Sequence, residues 1–439
     1  MFKTVMPLSS IIAMRFFGLF IVLPVISVYA LGMQNATPFL VGVVIGGYAL
    51  TQMVFQVPFG MMSDKIGRKQ TILIGIVVFV VGSVICSMSE NIYTLLFGRF
   101  LQGAGAIGAV VSAMISDLVK EEVRTKAMAM MGGSIAMAFS AAMIAGPLIS
   151  ASFGVPALFD IAAILALISL VILYVMVPNP PKIIHGYSDT SSVSQILKNS
   201  KINKMNLTNF LQKGLMTMAF MLIPIILIKN FGWQMSDLVK VYASSMVAGI
   251  LAMAPAAILA EKKGKFKQVL IAGILFFMFS FLVMGFSSSE LLFSVGVVLF
   301  FIGFNMHEPI MQSLAAKYAK VHEKGTVLGI FNSFGYLGTF VGGLAGGLFF
   351  NSALHELALA IAVICLLWIF VIVTLPNPSK TKTAYFEIGK TTPQAHDILA
   401  EIEGVEEVYI NETEGVLVAK YHEDIITLDE INSKVIKTS

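Results

Sequence analysis

Twelve apolar runs, separated by short polar or charged segments, constrain this chain more than any other feature of its sequence. A helix needs about 20 apolar residues to cross a hydrocarbon layer about 30 Å thick, and each run is long enough. The runs are continuous rather than alternating, which excludes a transmembrane β-barrel. A composition with 57% hydrophobic and 12% charged residues also excludes a soluble globular protein. We therefore predict an all-α polytopic protein of the lipid bilayer with twelve transmembrane helices.

A polar break divides the twelve runs into six and six. The break is rich in Pro, Ser, Asn and Lys, which is typical of a linker. We predict an N-terminal six-helix bundle over residues 1–178, a cytoplasmic linker over 179–204 and a C-terminal six-helix bundle over 205–378. Each of the twelve runs is predicted as one helix, with helix 1 over Pro7–Ala30 and helix 4 over Ile92–Ser116 among them.

The segment Gly60–Lys69, Gly-Met-Met-Ser-Asp-Lys-Ile-Gly-Arg-Lys, lies between two apolar runs and reads as a tight loop. A weaker copy follows 197 residues later, with Pro58, Asp64, Gly67 and Arg68 aligned to Pro255, Glu261, Gly264 and Lys265. Basic, glycine-rich loops are common at cytoplasmic surfaces. The recurrence of an acid, a glycine and a base in the same order nevertheless favours two related halves, as in many secondary transporters.

Lysine and arginine collect in alternate loops, which predicts the orientation in the membrane. One side carries Lys65, Arg68, Lys69, Lys120, Arg124, Lys126, Lys262, Lys263 and Lys265, whereas the other side has Lys229 and Lys240. We therefore predict a multi-pass protein of the cell (inner) membrane with both termini in the cytoplasm.

The last sixty residues differ from the rest in charge and pattern. From Lys380 onward six lysines face twelve acids, a net charge of −6, whereas the remainder carries 23 bases against 13 acids, a net charge of +10. The pattern β-α-β-β-α over residues 383–439 predicts a small ferredoxin-like α+β domain. We expect a regulatory or interaction module that docks on the protein's own basic cytoplasmic loops; self-association of the domain is the alternative.

Several functional classes find no support in the sequence. Both cysteines, Cys86 and Cys365, lie inside apolar runs, so we predict no disulfide, no metal site and no cofactor. His396 and His422 read as surface residues. No phosphate-binding, metalloprotease or nucleophile-elbow motif is present, so an enzyme is not expected. Bases flanking the helices explain the overall charge of +4, so a nucleic-acid partner is not expected either.

The chain resembles the major facilitator superfamily, and within it the twelve-helix drug–proton antiporters. The loop matches the signature between helices 2 and 3 at Gly60, Asp64, Gly67, Arg68 and Lys69, and helix 4 carries Arg99-Phe-Leu-Gln102-Gly103-Ala-Gly105. Helix 5 contains Gly146-Pro147 like the antiporter motif, but Ser150 and Ala151 replace its usual glycines. Together with a C-terminal ferredoxin-like domain, these features resemble one group within that branch.

The resemblance implies several roles. Asp64, Arg68 and Asp117 would form a cytoplasmic gate together with Gly60, Gly67 and Lys69. Gly146 and Pro147 would bend or thin helix 5. Arg99 would communicate with the protonation site, although it could instead only tie helices together.

Glu308 is our candidate proton carrier because it lies inside helix 10, where a low dielectric favours the neutral carboxyl. A permanently paired structural acid is the alternative. His307 could titrate as well or merely pack. Arg15 on helix 1 and Lys213 on helix 7 are further intramembrane cations that could pair with Glu308 or bind an anionic part of a substrate, although Lys213 could snorkel to the membrane edge.

Gln52, Gln56, Gln102, Lys213, Asn305 and Asn332 are candidates for lining a substrate cavity. The many methionines and phenylalanines are consistent with a flexible apolar cavity. We therefore predict a proton-coupled exporter of lipophilic small molecules that alternates access between two states. Transport of a sugar, peptide or other metabolite by the same fold, or a membrane sensor with a signalling tail, are the alternatives.

Overall fold

The structure is a computed structural model that describes residues 2–179, 193–319, 324–376, 381–392, 394–411 and 415–436. Within these ranges twelve helices are long and apolar enough to cross a membrane, and the predicted polytopic helical fold is confirmed. Spans 1 to 6 are Thr4–Leu31, Pro38–Ile66, Arg68–Ser87, Ile92–Leu118, Glu122–Phe153 and Pro156–Val175. Spans 7 to 12 are Ser200–Lys229, Met235–Lys262, Phe266–Gly285, Glu290–Tyr318, Gly325–Leu348 and Leu354–Val373.

Two spans that we predicted as single helices are broken. Span 1 consists of helices Phe2–Phe20 and Leu23–Leu31, and the second helix has a proline in its first turn. The carbonyl of Ile21, at the break, lies against Gly146 of span 5 so closely that a side chain at Gly146 would collide with it. Span 4 consists of Ile92–Ala104 and Gly108–Leu118. The intervening Gly105 packs against the Gly75 carbonyl of span 3, and a Cβ would not fit there.

Three other spans show further local features. Span 5 runs as a continuous helix, Glu121–Phe153, through Pro147. Span 7 begins at Ser200, where the Asn199 side chain accepts hydrogen bonds from two backbone N–H groups. The helix therefore starts inside the segment predicted as linker, of which residues 180–192 lie outside the described residues. Span 8 ends in a π-helical turn, Ile258–Lys262.

Spans 2 and 11 join the two halves at one end of the bundle. Gly42 lies directly against the Gly343 carbonyl, and Gly46 lies against the backbone of Phe340. A Cβ at either glycine would overlap the opposite backbone, so only glycine permits this approach. The same end contains Gly347 against Pro38. The halves are therefore closed to each other on the side away from the Gly60–Lys69 loop.

The opposite ends of these two spans separate. A Cβ built on Gly60 of span 2 meets no described atom within 4 Å, and the same holds for Gly325 and Gly329 of span 11. The side chain of Asp64 is 67% exposed. The cleft between the halves therefore opens on the side of the Gly60–Lys69 loop, which we call the loop side.

The C-terminal domain has the predicted order of strands and helices. It consists of β1 (Thr381–Glu387), a helix (Ala395–Glu401), β2 (Val405–Asn411), β3 (Val416–His422) and a second helix (Leu428–Val435). The antiparallel sheet has the order β1-β3-β2. Both helices cover one face, where Leu399, Leu417, Ala419 and Ile431 form a buried core.

The other face of this sheet lies toward the membrane spans. Val418 and Lys420, on that face of β3, are buried. The Lys420 Nζ donates a hydrogen bond to the carbonyl of Ala319, just beyond span 10, at 3.3 Å. The ammonium thus sits at the carbonyl end of a helix, where positive charge is favourable.

Candidate transport site

An ion pair between spans 7 and 10 occupies the cleft. The Lys213 Nζ lies 3.0 Å from both Glu308 carboxylate oxygens. Their side chains are 23% and 34% exposed, respectively, so the pair is neither sealed inside a bundle nor fully solvated. The ammonium also lies 4.9 Å from the centre of the Phe304 ring. A charged pair within membrane-spanning helices is energetically costly, and such pairs are therefore usually functional. This makes the pair our primary candidate site.

Gln212 of span 7 also donates a hydrogen bond to this carboxylate. Its side chain is fully buried, and its Nε2 donates to Glu308 Oε2 at 3.2 Å and to the Phe304 carbonyl at 3.4 Å. Its Oε1 has no hydrogen-bond partner among the described residues. Sequence reasoning missed Gln212, although a glutamine beside Lys213 in an apolar run was an available signal.

His307 and Asn305 point away from the ion pair. The His307 ring is fully buried, its Nε2 lies 2.8 Å from the Leu270 carbonyl, and it packs edge-on against Phe277 and Trp368. Asn305 donates to the Phe301 carbonyl of its own helix and faces Gly249 of span 8. Although these two residues are close to Glu308 in sequence, they lie on other faces of span 10.

A second polar cluster lies inside the N-terminal half and contains two buried arginines. Arg99 Nη1 donates to Gln102 Oε1 at 2.8 Å, and Gln102 Nε2 donates to Ser83 Oγ at 2.9 Å. Arg15 Nη2 lies 3.5 Å from the Gln102 carbonyl and 3.4 Å from Gln52 Oε1. The structure therefore brings together four candidate residues from spans 1, 2 and 4.

Aromatic rings also lie close to these guanidinium groups. Arg99 lies 4.6 Å from the centre of the Tyr48 ring, and Arg15 lies 5.6 Å from the rings of Phe16 and Phe79. Arg15 Nε and Nη1 and Arg99 Nη2 have no hydrogen-bond partner in the described part of the chain. Cation–π contacts stabilise such groups where hydrogen bonds do not.

The two-arginine cluster is connected to the other half through Gln52. Gln52 Nε2 donates to the Tyr336 hydroxyl of span 11 at 2.7 Å. Tyr336 packs against the hydrophobic core of the N-terminal half although it belongs to the C-terminal half. Nothing in the sequence near Tyr336 marks it, because its role depends on which helices meet.

The predicted gate residues also come together. Arg68 donates through Nε to Asp117 Oδ2 at 2.9 Å and through Nη1 to Asp64 Oδ1 at 2.6 Å. Nη1 also lies 2.5 Å from Ser63 Oγ, a contact that we did not predict. Gly67, with φ of +100°, ends span 2 in a conformation that suits glycine.

The related loop of the second half forms a different pair. Glu261 accepts from the Lys317 Nζ at 2.6 Å and from the Ser313 hydroxyl. The loop thus supplies the acid and span 10 the base, whereas in the first half the loop base binds the acid of span 4.

The remaining candidates make fewer contacts. Gln56 and Asn332 are half-buried on spans 2 and 11, and Lys69 is half-buried at the start of span 3. Gly146 serves as a contact for span 1, as described above. No group of three or more metal-ligating side chains in the described ranges is close enough to hold a metal ion.

Sequence comparison points to one family. A family profile described as Major Facilitator Superfamily matches residues 8–343 and again 205–396. The inner membrane transport protein YajR of Escherichia coli is 34% identical over 98% of this chain and 96% of that protein. The quinolone resistance protein NorA of Staphylococcus aureus is 25% identical over 76% of this chain and 87% of NorA.

Solved structures share the fold at low identity. The human organic anion transporter MFSD10 has a TM-score of 0.64 and 16% identity, over 84% of this chain and 99% of that chain. A bacterial homologue of the human lysosomal transporter Spinster, in an inward-facing and unoccupied conformation, has a TM-score of 0.64 and 14% identity, over 84% and 94% of the two chains.

Proposed function

Because this chain belongs to the major facilitator superfamily, we propose that it is a proton-coupled secondary active transporter that exports lipophilic small molecules by alternating access. The ion pair Lys213–Glu308 is the observation that carries the proposal. It places a titratable carboxylate at membrane depth in a cleft that is open to one side. A group that changes charge there gives the proton gradient a means to bias the two access states.

The relatives and the aromatic contacts between the two halves support lipophilic cargo. NorA is named for quinolone resistance, and a class E tetracycline resistance protein of Escherichia coli is 30% identical over 52% of this chain and 55% of that protein. Buried rings from both halves pack against one another beside the ion pair, with Phe139 of span 5 lying 5.7 Å from Phe304 and 6.3 Å from Phe220. Such rings can contact apolar ring systems without demanding specific hydrogen bonds.

In this proposal the protein lies in the inner membrane with its loop side facing the cytoplasm, and both termini are cytoplasmic. The excess of lysine and arginine in the loop-side segments supports this orientation. The cleft is then open inward, so cargo enters from the cytoplasm. Arg68, bound to Asp64 and Asp117, stabilises the loop that must meet span 11 when the cytoplasmic side closes.

Two reconstitution measurements test the proposal. Purified protein in vesicles is given an imposed pH gradient and a panel of lipophilic compounds, and proton flux and compound accumulation are recorded together. Wild-type protein should exchange protons for at least one compound, and Glu308→Gln should do so at a small fraction of that rate while remaining folded in the membrane. Compound movement that is indifferent to the pH gradient would contradict the coupling.

Transport of an acidic metabolite by the same fold is the second candidate function. The two buried arginines, with three N–H-bearing atoms that lack partners among the described residues, favour negative charge in the N-terminal half. MFSD10 is named an organic anion transporter. Lipophilic anions in the compound panel distinguish this candidate, because they would be accumulated in preference to neutral and cationic compounds.

We also propose that the C-terminal domain docks on the cytoplasmic ends of the protein's own spans and modulates their movement. The bond from Lys420 to Ala319 and the burial of Val418 support this docking. The opposite net charges of domain and membrane body favour it as well.

A further inference from the structure

Arg15 and Arg99 are two positive charges that the described part of the chain leaves without a negative partner. Arg15 is 2% exposed and Arg99 is fully buried. Every hydrogen bond that either guanidinium makes among the described residues goes to an uncharged oxygen. A buried charge without a counter-charge is strongly destabilising, so this cluster calls for a negative group from another source.

The carboxylates of the N-terminal half do not supply that group. The acidic residues within spans 1 to 6 are Asp64, Asp117, Glu122 and Asp160. Asp64 and Asp117 bind Arg68 at the loop side. Glu122 is the first residue of span 5, Asp160 lies near the start of span 6, and both are exposed. The described acids of these spans therefore leave the two buried guanidinium groups unbalanced.

Three nitrogen atoms of the cluster have N–H groups left to donate. Arg15 Nε and Nη1 and Arg99 Nη2 are buried and have no hydrogen-bond partner among the described residues. The two bonds that Arg15 does make, at 3.4 and 3.5 Å, are long compared with the usual distance of about 2.9 Å. Buried donors are almost always satisfied in folded proteins, so these nitrogens indicate a ligand that accepts from them.

Both guanidinium groups contact the same glutamine. Arg15 Nη2 lies 3.5 Å from the carbonyl of Gln102, and Arg99 Nη1 donates to the side-chain oxygen of Gln102 at 2.8 Å. The amide of that side chain is held in turn by Ser83 of span 3. The two charges are thus connected through a single residue, and one anion bound beside Gln102 can accept from both.

The surroundings favour a small monovalent anion over an organic acid. The Tyr48 ring lies 4.6 Å from the guanidinium of Arg99, and the rings of Phe16 and Phe79 lie 5.6 Å from that of Arg15. These rings take up space beside the donors, so an ion of a single atom fits there more readily than a molecule with a carbon skeleton. Because the cost of burying an ion rises with its charge, a halide is also favoured over sulfate or phosphate.

We propose that Arg15 and Arg99, with Gln102 between them, form a binding site for a chloride ion. The ion accepts hydrogen bonds from the free nitrogens of both guanidinium groups and supplies the negative charge that the bundle lacks. The site is distinct from the pair Lys213–Glu308, in which the protein itself provides both charges. The inference goes beyond the proposed function, since it depends neither on the cargo nor on proton coupling.

Thermal unfolding in a series of anions tests the inference. Full-length protein in detergent is purified in potassium gluconate and titrated with chloride, bromide or benzoate at constant ionic strength and pH. Chloride and bromide should raise the unfolding temperature in a saturable manner, by about 3 °C or more. An unfolding temperature that is equal in chloride and gluconate would overturn the proposal. A larger rise with benzoate than with chloride would also overturn it and would assign the arginines to an acidic cargo.

Equilibrium binding of radiolabelled chloride gives a direct readout. Wild type should bind one ion per chain. Arg15→Gln and Arg99→Gln should each weaken binding by about tenfold or more, whereas Arg15→Lys, which keeps the charge, should weaken it less. Lys240→Gln is the matched control and should bind like wild type, since it removes a lysine that is paired with Asp237 at the end of span 8 away from the loop side.

Two results of the binding experiment would contradict the site. One is equal chloride binding by wild type and the double variant Arg15→Gln/Arg99→Gln, which would place the ion elsewhere. The other is the lack of saturable binding by wild type, which needs no variant and is therefore decisive even if the substituted proteins do not fold. Size-exclusion profiles in gluconate show which variants are folded before chloride is added.

Discussion

Gln52 and Tyr336 form a hydrogen bond of 2.7 Å between residues that lie halfway along spans 2 and 11. On one side of this bond the helices touch, glycine against backbone, at Gly42 and Gly343. On the other side they separate, and Gly60 has no described neighbour within 4 Å. The bond therefore lies where the proposed rocking motion of the two halves would have its pivot.

The antiparallel register of spans 2 and 11 predicts a contact that forms when the loop side closes. Gly42 lies against Gly343 and Gly46 against Phe340, so continuing the register places Gly60 opposite Gly325. We expect a Gly60→Cys/Gly325→Cys pair to cross-link only when the loop side closes. Cys86 and Cys365 are buried and should not compete for the reagent.

Cross-linking of that pair should rise when cargo or a pH gradient drives the cycle. The matched control is Gly60→Cys/Gly133→Cys, since a Cβ at Gly133 on span 5 also has free space but does not belong to this register. If the control pair cross-links as fast as the register pair, the predicted closure of span 2 on span 11 is wrong.

The pivot predicts an unusual response to removal of the Tyr336 hydroxyl. A bond kept in both access states contributes equally to each and cannot shift their ratio. Tyr336→Phe should therefore change the cross-linked fraction of the Gly60/Gly325 reporter by less than about twofold, although it should lower thermal stability by about 1 kcal/mol. Tyr242→Phe is the control, because the Tyr242 hydroxyl has no partner among the described residues.

A shift of the cross-linked fraction by about fivefold would show instead that the bond exists in one state only, since that factor corresponds to the loss of one hydrogen bond from one state.

Gly42→Val should oppose the conformation described here. Its side chain would collide with the Gly343 carbonyl where the halves are closed. The ends of spans 2 and 11 away from the loop side would therefore be forced apart. We expect faster cross-linking of the Gly60/Gly325 reporter and slower transport. Gly133→Ala adds a side chain in free space and should leave both unchanged. An unaltered reporter in Gly42→Val would contradict the close packing of spans 2 and 11.

Arg68→Ala should lower transport several-fold without lowering the amount of protein in the membrane. The side chain connects Ser63, Asp64 and Asp117, and its loss would free the loop. Arg68→Lys should recover only part of the activity, because an ammonium cannot reproduce the fork of a guanidinium. The initial rate of cargo uptake into inverted vesicles measures this effect, and wild-type rates in Arg68→Ala would remove this group from the gate.

Lys420→Met should loosen the C-terminal domain from the membrane body. The substitution keeps the apolar stem but removes the donor to the Ala319 carbonyl. We expect faster amide hydrogen exchange in β3 and at the end of span 10 in the full-length protein. Lys434→Met, at the end of the last helix, is the control. Equal exchange in Lys420→Met and wild type would argue against docking through this residue.

Much of the fold followed from the sequence because the membrane imposes simple rules. Continuous apolar length identified the twelve spans, and alternation identified the strands of the C-terminal domain. The breaks at Ile21 and Gly105 were missed, since they depend on a neighbouring helix approaching a glycine. Periodicity along one segment carries no information about such approaches.

The candidate site was predictable by residue type but not by partner. Intramembrane charge singled out Glu308, Lys213, Arg15 and Arg99, and the structure separates them into an ion pair and an arginine cluster. His307 attracted attention because it adjoins Glu308, yet successive helical residues point about 100° apart, so it packs among rings on another face. Gln212 and Tyr336 became visible only once the spans were assembled.

Coupled flux in vesicles tests the central claim most directly. Reconstituted wild-type protein and Glu308→Gln are compared for proton movement and cargo accumulation under the same imposed pH gradient. We predict that wild type exchanges protons for a lipophilic compound and that Glu308→Gln, equally folded, does not. Gradient-driven accumulation in Glu308→Gln at the wild-type rate would contradict a transport site built on this carboxylate.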